Sequence, residues 1–590
     1  MNVSQYIVQY LEDYGIEDIF LVTGGGAMHL NNSIANSKKI KYTCFHHEQA
    51  ASICAEGYYR SSGKIAVVCC TSGPGGTNCL TGVLGQWLEG IPCLYLSGQV
   101  KYETTISSCP EIGLRQLGDQ EVNIVDIVKP ITKYAKMITN PDEIKIELDK
   151  ALHIASTGRF GPCWLDVPLN IQGAVVDEKK LLSFFDFNPN RLYMSDYLMQ
   201  EIAFEIYNAK RPLIIAGHGI KLSKSKQWFL DLINNSDIPV VTTFNGFDIV
   251  PSDHKNFVGR IGTIGNRSGN FALQNADLII CLGTRNNIRQ VSYDWKGFAK
   301  NAKKIIVDID KAELNKPTIQ GDIKVNINVK EFIYELLLRI PFEGYNNWLK
   351  WCKERQQKYP IVLEDYRKQN EINPYLFMEA LTEQLPNDAI VVAANGTACV
   401  TLFQAGIVKE NQNIFWNSGC ASMGYALPAA IGASIANGNK EVICIEGDGS
   451  IQMNLASLQT IKLYKLPIKI FILNNKGYSS IKQTQTNLFD GNLIGCTKET
   501  GVSFPDFQKL AYLYDMKYFK LWNTNELDFD IDYILEYEDS CICEVILGDY
   551  TFQPKLSSQK MSDGTMVSQP LENMYPFLSK EELESNMIKE

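Results

Sequence analysis

The chain has 590 residues, 45% of them hydrophobic and 21% charged, with a formal net charge of −10. That length accommodates three domains of ordinary size, and the balance is that of a globular protein. The acidic surplus, without any block of Lys or Arg, argues against nucleic-acid binding. No run of about 18 apolar residues suggests a membrane span. The 16 cysteines are scattered without metal-type spacing and read as reduced thiols of a cytoplasmic enzyme.

Residues 1–20 read as an amphipathic helix carrying Glu12, Asp13 and Glu17, without the basic and apolar regions of a signal peptide. Strand patterns at 19–21, 65–70 and 93–96 place a first α/β unit over residues 1–180. A polar, acidic stretch at 177–190 reads as a linker. A second α/β unit covers 190–345, and a charged helical connector at 348–369 leads to a third over 370–550. The first and third units have similar layouts. The tail, 551–590, lacks a sheet pattern. Its Asp563-Gly564 turn, Pro570 and Pro576 predict an extended segment ending in a short acidic helix, placed over the opening of the third unit. The expected class is α/β, with three doubly wound parallel-sheet domains.

The third unit carries the most specific signal. An apolar strand at 442–445 runs into Gly447-Asp448-Gly449-Ser450, a helical pattern follows, and a second strand at 468–473 runs into Asn474-Asn475. A parallel sheet brings such strand ends together at its carboxyl edge, where ligands bind. A carboxylate with an amide carbonyl suits a hard cation such as Mg²⁺, which keeps positions open for phosphate oxygens. The glycines let the backbone approach a diphosphate, and the helix start supplies N–H donors.

This pattern resembles the thiamine-diphosphate signature. A second resemblance lies in the first unit: Phe45-His46-His47-Glu48-Gln49-Ala50-Ala51 and Thr71-Ser72-Gly73-Pro74-Gly75-Gly76-Thr77-Asn78 are similar to the RHEQGA and TSGPGATN segments of the acetolactate synthase family. The resemblance implies Mg²⁺ held by Asp448, Asn475 and the Gly477 carbonyl. It implies diphosphate contacts from Gly447, Gly449 and Ser450. It assigns Glu48, reaching across a subunit boundary, as the acid sharing a proton with the aminopyrimidine ring. Segment 418–432 resembles SGGLGTMGYGLPAAIG, which places Met423 under the cofactor with Ser422 beside it. Gly25, Pro74 and Asn78 would line the pyrimidine pocket, and Gln120 would face the reacting carbon. In the middle unit, Gly259, Gly262, Thr263, Gly283, Arg285, Asn287, Asp308, Asp310 and Asp322 match positions lining an FAD site without net redox role. The alternatives there are ADP or an empty pocket.

The chain also departs from the family. GQHQ becomes Gly396-Thr397-Ala398-Cys399, so Thr397 keeps a hydroxyl for the diphosphate but the imidazole is lost. VKQWQ becomes Ile481-Lys482-Gln483-Thr484-Gln485, preceded by Ser480 in place of methionine, which removes an indole from the second-substrate pocket. The implied activity is 2-oxoacid decarboxylation followed by carboligation, with pyruvate as donor. The acceptor would be pyruvate or a bulkier carbonyl such as a keto-sugar. A non-ligating decarboxylase and a binding protein that merely keeps the fold are the alternatives. A homo-oligomer of at least two chains is expected.

Overall fold

The computed structural model describes residues 1–186, 194–339, 344–560 and 563–589. It contains three six-stranded sheets, each wholly parallel and covered by helices, as the alternating strand and helix patterns predict. Their strands are short, nearly continuous apolar runs, such as Ala66–Cys70, Leu278–Leu282 and Ile468–Asn474. Runs of that kind belong to strands buried on both faces. The end of the linker pattern, 187–190, lies outside the described residues.

With strands numbered within each sheet in chain order, the first and third sheets share the order 2-1-3-4-6-5. The middle sheet reads 3-2-1-4-5-6, the order of dinucleotide-binding folds. In the third sheet the order reverses between Ile390–Ala393 and Val442–Gly447, so the loops that follow these strands diverge and leave a crevice at the carboxyl edge. The segments beginning at Gly396 and Asp448 border that crevice. In the middle sheet the corresponding point falls between Pro212–Ala216 and Leu278–Leu282.

The first and third units meet through helices Glu48–Ser62 and Ala426–Ala436. Their backbones nearly touch: a Cβ on Gly57 would lie 2.1 Å from the Ala429 oxygen, and one on Gly432 2.0 Å from the Cys54 oxygen. Beside this contact Arg60 is buried between Glu56 (2.8 Å) and Glu89 (3.0 Å). Asn417 and Tyr425 bond Glu56, and the Gly419 N–H bonds Glu89. Breaking a buried ion pair by removing one partner costs about 3–5 kcal/mol, so this network fixes how the two units sit together.

Two sequence readings change. The first helix ends at Tyr14, because Gly15 turns left-handed at φ 93°, and Asp18–Leu21 is already a strand. The tail does contain sheet: Ser558–Lys560 pairs antiparallel with Met566–Ser568. Nor does the tail mainly cover the third unit. Its later part packs on the helix Arg267–Asn275 of the middle unit, all nine residues of which are buried. Arg267 donates to the Met574 oxygen (3.1 Å), Gln274 to Glu572 (2.6 Å) and Asn275 to the Asn586 oxygen (2.9 Å). The Ile588 N–H donates back to Asn275 (2.7 Å). The polar side chains of a buried helix thus find partners in the tail, as burial demands. The acidic helix forms at Lys580–Ser585. Among the described residues no helix is long and apolar enough to cross a membrane.

Candidate cofactor and active site

Asp448 directly follows the strand Val442–Gly447 and is 3% exposed. Its Oδ1 accepts the Gly449 N–H (2.8 Å); Oδ2 accepts those of Asn475 (3.1 Å) and Gly477 (3.3 Å). The carboxylate therefore clasps both motif loops, 27 positions apart in sequence. Burial pushes its pKa up to about 7 despite these donors, so the site is short of positive charge. Asn475 donates Nδ2 to the Tyr550 hydroxyl (3.1 Å), while its Oδ1 is buried without a partner. A desolvated carboxylate and an unpartnered amide oxygen in adjoining loops fit a hard divalent cation such as Mg²⁺. Among the described residues no group of three or more His, Cys, Asp or Glu offers a different metal site.

The surrounding backbone leaves room for a diphosphate. Gly396 is left-handed (φ 85°), with no atom within 4 Å of where a Cβ would stand. Thr397 opens the helix Thr397–Ala405, and its hydroxyl meets Tyr550 at 2.6 Å. Ser450 accepts the Gly424 N–H (2.9 Å), and Asn395 holds the Ser422 carbonyl (2.9 Å). Met423 projects from this pinned turn, 37% exposed, just ahead of the buried run that begins at Gly424. The ring of Tyr478 covers Gly449, where a Cβ would lie 2.2 Å from it.

A cavity of about 760 Å³ adjoins these loops, with Asn475, Gly477, Lys482, Gln483, Thr486 and Tyr550 on its wall. Ser480 and Thr484 are not on that wall. They share the exposed face of the helix Ser479–Leu488, where the Thr484 hydroxyl bonds the Ser480 carbonyl (2.9 Å). Gln483 keeps the first glutamine of the VKQWQ-like segment but is not among the expected site residues, and Tyr550 carries no motif of its own. The one signal for Tyr550 was its place just beyond Cys541–Ile546, at the same carboxyl edge.

In the first unit Glu48 is the first residue of its helix, 8% exposed, and Asn78 donates to its Oε2 (3.0 Å). Pro74 opens the helix Pro74–Asn78, and Gly25 has open space where a Cβ would stand. Gln120 is exposed and left-handed (φ 58°), in a loop pinned by the buried Glu121 through the N–H groups of Leu117 and Gly118. Among the described residues no hydrogen bond or ion pair joins Glu48 to Asp448 or Asn475 of the same chain.

The middle unit has a groove at its order reversal, lined by Gly283, Arg285, Asn287 and Asp308 together with Arg159 and His218. Burial raises Asp308 to about 6 and holds His218 well below the usual imidazole value, so His218 is neutral; its Nδ1 is buried without a partner. Five residues expected here stand off the wall. Gly259 allows the close approach of Gly269, and Gly262 that of Arg289 and Gln290. The Thr263 N–H bonds the Arg289 carbonyl (2.9 Å). Asp310 holds Arg159 (3.0 Å) and so acts on the groove through it. Asp322 precedes the strand Ile323–Asn326, at the amino edge, and bonds the Lys304 N–H (2.7 Å). Strand direction therefore keeps it from the ligand end.

Comparison with known proteins identifies the three units. Residues 1–124 match the N-terminal thiamine pyrophosphate (TPP)-binding domain, 199–336 the central domain and 394–545 the C-terminal TPP-binding domain of thiamine pyrophosphate enzymes. The acetolactate synthase large subunit of Lactococcus lactis is 34% identical over 92% of each chain. That of Pyropia yezoensis is 31% identical over 89% of this chain and 88% of its own. Isozyme 2 of Escherichia coli is 28% identical over 93% and 96%. The three-domain architecture, the paired motif loops and near full-length relatives place the chain in the acetolactate synthase large-subunit family, as a thiamine-diphosphate-dependent carboligase.

Proposed function

We propose that the enzyme decarboxylates pyruvate and joins the two-carbon unit to a second carbonyl, at a site built from two chains and dependent on Mg²⁺. The observation that carries this reading is the Asp448 carboxylate beside the unpartnered Asn475 oxygen, opening on a large cavity. Asp448, Asn475 and the Gly477 carbonyl would hold the cation, with Gly449, Ser450 and Thr397 toward the diphosphate. Thiamine diphosphate would supply, when bound, the electron sink for loss of carbon dioxide and then return that electron pair for addition to the acceptor carbonyl. Glu48 of a second copy holds a proton at its Oε1, since Asn78 already occupies Oε2. Glu48 lies in the first unit and the metal loops in the third, and family resemblance pairs these units across a subunit boundary, which supports an assembly of at least two copies. Relatives named as large subunits leave room for a regulatory small subunit, and the scattered reduced cysteines favour a cytoplasmic setting.

The cavity wall, with Lys482, Gln483 and Thr486, favours an acceptor that is larger and more polar than pyruvate, such as a keto-sugar. The face bearing Ser480 and Thr484 lies off this wall in the single chain; on our reading a second copy closes the site over it, and it lacks the indole of the family. Purified enzyme with pyruvate and candidate carbonyls, its products read by mass spectrometry, tests the reading. Branched carbinols of the bulky acceptors are expected. Thr484→Trp should slow these selectively by about 10-fold or more while pyruvate consumption persists, since even one methylene of an apolar pocket discriminates by 10-fold or more. Free aldehyde as the sole product would instead mark a simple decarboxylase. Acetolactate alone, unaffected by the variant, would remove the wide-acceptor reading.

The groove of the middle unit suits a dinucleotide, with FAD our assignment: Arg159 and Arg285 face the order-reversal crevice, and His218 presents an unpartnered nitrogen. Its role would be without net redox change. Flavin fluorescence should be quenched on titration with the protein and recover with Arg285→Ala. No quenching by wild-type protein would leave the groove to ADP or to nothing.

A further inference from the structure

We propose that Tyr550 is a positioning residue for the cation. Its hydroxyl sets which end of the Asn475 amide faces the metal. This rests on the metal reading above.

A side-chain amide is nearly symmetrical in shape and opposite in charge at its two ends. Rotated by half a turn, Asn475 would present NH₂ to the cation and repel it. Nothing in the backbone chooses between the two orientations. Tyr550 does, through the Asn475 Nδ2–Tyr550 hydroxyl contact of 3.1 Å. The choice holds only if the hydroxyl accepts there, so its own proton must go elsewhere. Thr397 Oγ1 lies 2.6 Å from the hydroxyl, and in this proposal it is the acceptor. The result is a polarised chain from the amide through the phenol to the helix start at Thr397. At its far end the Asn475 oxygen is left buried and unpartnered, aimed away from Tyr550. The ring is held in turn by Phe552, edge-on at 5.6 Å. This arrangement uses the very stretch, Thr397-Ala398, in which the family's imidazole is missing.

The test is calorimetric titration of Mg²⁺ into protein saturated with thiamine diphosphate. Tyr550→Phe keeps the ring and removes the hydroxyl, and Thr397→Val keeps the shape and removes the proton acceptor. Each should weaken Mg²⁺ by about 10-fold or more, the scale for groups that orient a metal ligand. The double variant should be no worse than the weaker-binding single, because both break one chain. Tyr550→Phe with unchanged Mg²⁺ affinity, whatever its melting temperature, would overturn the inference while leaving the metal site standing. Additive losses in the double variant would also overturn it. Wild-type protein that binds thiamine diphosphate equally well in the presence of chelator would overturn the metal reading and this inference together.

Discussion

Asp448→Ala is expected to abolish Mg²⁺-dependent binding of thiamine diphosphate, a loss of more than about 100-fold. Asp448 is the one charged group among the proposed ligands, and a hard divalent cation depends on that charge. The alanine variant also strands three backbone N–H groups that the carboxylate now accepts, so Asp448→Asn is the cleaner companion. It keeps an acceptor oxygen and discards the charge. The sign of its effect on the metal-free protein follows from the pKa. Held at about 7 when folded against about 3.9 when unfolded, this carboxyl costs stability progressively as pH rises from about 4 through about 7. Relief of that cost at pH 8 is offset where the new amide NH₂ opposes a backbone N–H, so the asparagine variant should melt higher than the alanine variant, yet fail to bind cation. Calorimetry with and without chelator provides the check, and retained cation-dependent affinity would sink the metal assignment.

Glu48→Gln is expected to leave the cofactor bound and to cut turnover by on the order of 10²-fold or more, the scale of a lost acid–base contact. Glutamine can still accept from Asn78, so the helix start at Glu48 should survive. Binding by calorimetry and C2 proton exchange of the bound cofactor by NMR separate the two effects. Exchange at the wild-type rate would contradict the role. Because Glu48 and Asp448 sit on different units, mixing the Glu48→Gln and Asp448→Ala chains should restore part of the activity wherever subunits exchange. A fully active monomer in light scattering would exclude a shared site.

The motif loops were legible because backbone geometry dictates them. A strand that ends in Gly-Asp-Gly and a partner that ends in Asn-Asn must meet if the sheet is parallel, and Asp448 does bond both Asn475 and Gly477. What depends on three-dimensional phase was not legible. Thr484 and Gln483 are neighbours in sequence, yet the turn of the helix puts one on the cavity wall and the other outside it. Asp322 lay beside a plausible strand, but strand direction sends it to the amino edge. The tail hairpin was invisible because segments such as Met566-Val567-Ser568 are too short to show alternation. Tyr550 has no local pattern at all, since its meaning comes from Asn475 and Thr397.

The tail has a consequence for the making of the protein. Asn275 waits for Asn586, a partner 311 positions later in the chain. At a synthesis rate of about 5–20 residues per second, that separation corresponds to roughly 15–60 s. During that interval the ribosome-bound middle unit carries a helix whose Arg267, Gln274 and Asn275 lack their tail partners and whose apolar side lacks Leu571 and Met574. Residues 571–588 therefore complete a domain begun far upstream. A chain cut short near residue 550, with every motif loop intact, would leave the ribosome with its middle unit unfinished and exposed to chaperones and proteases.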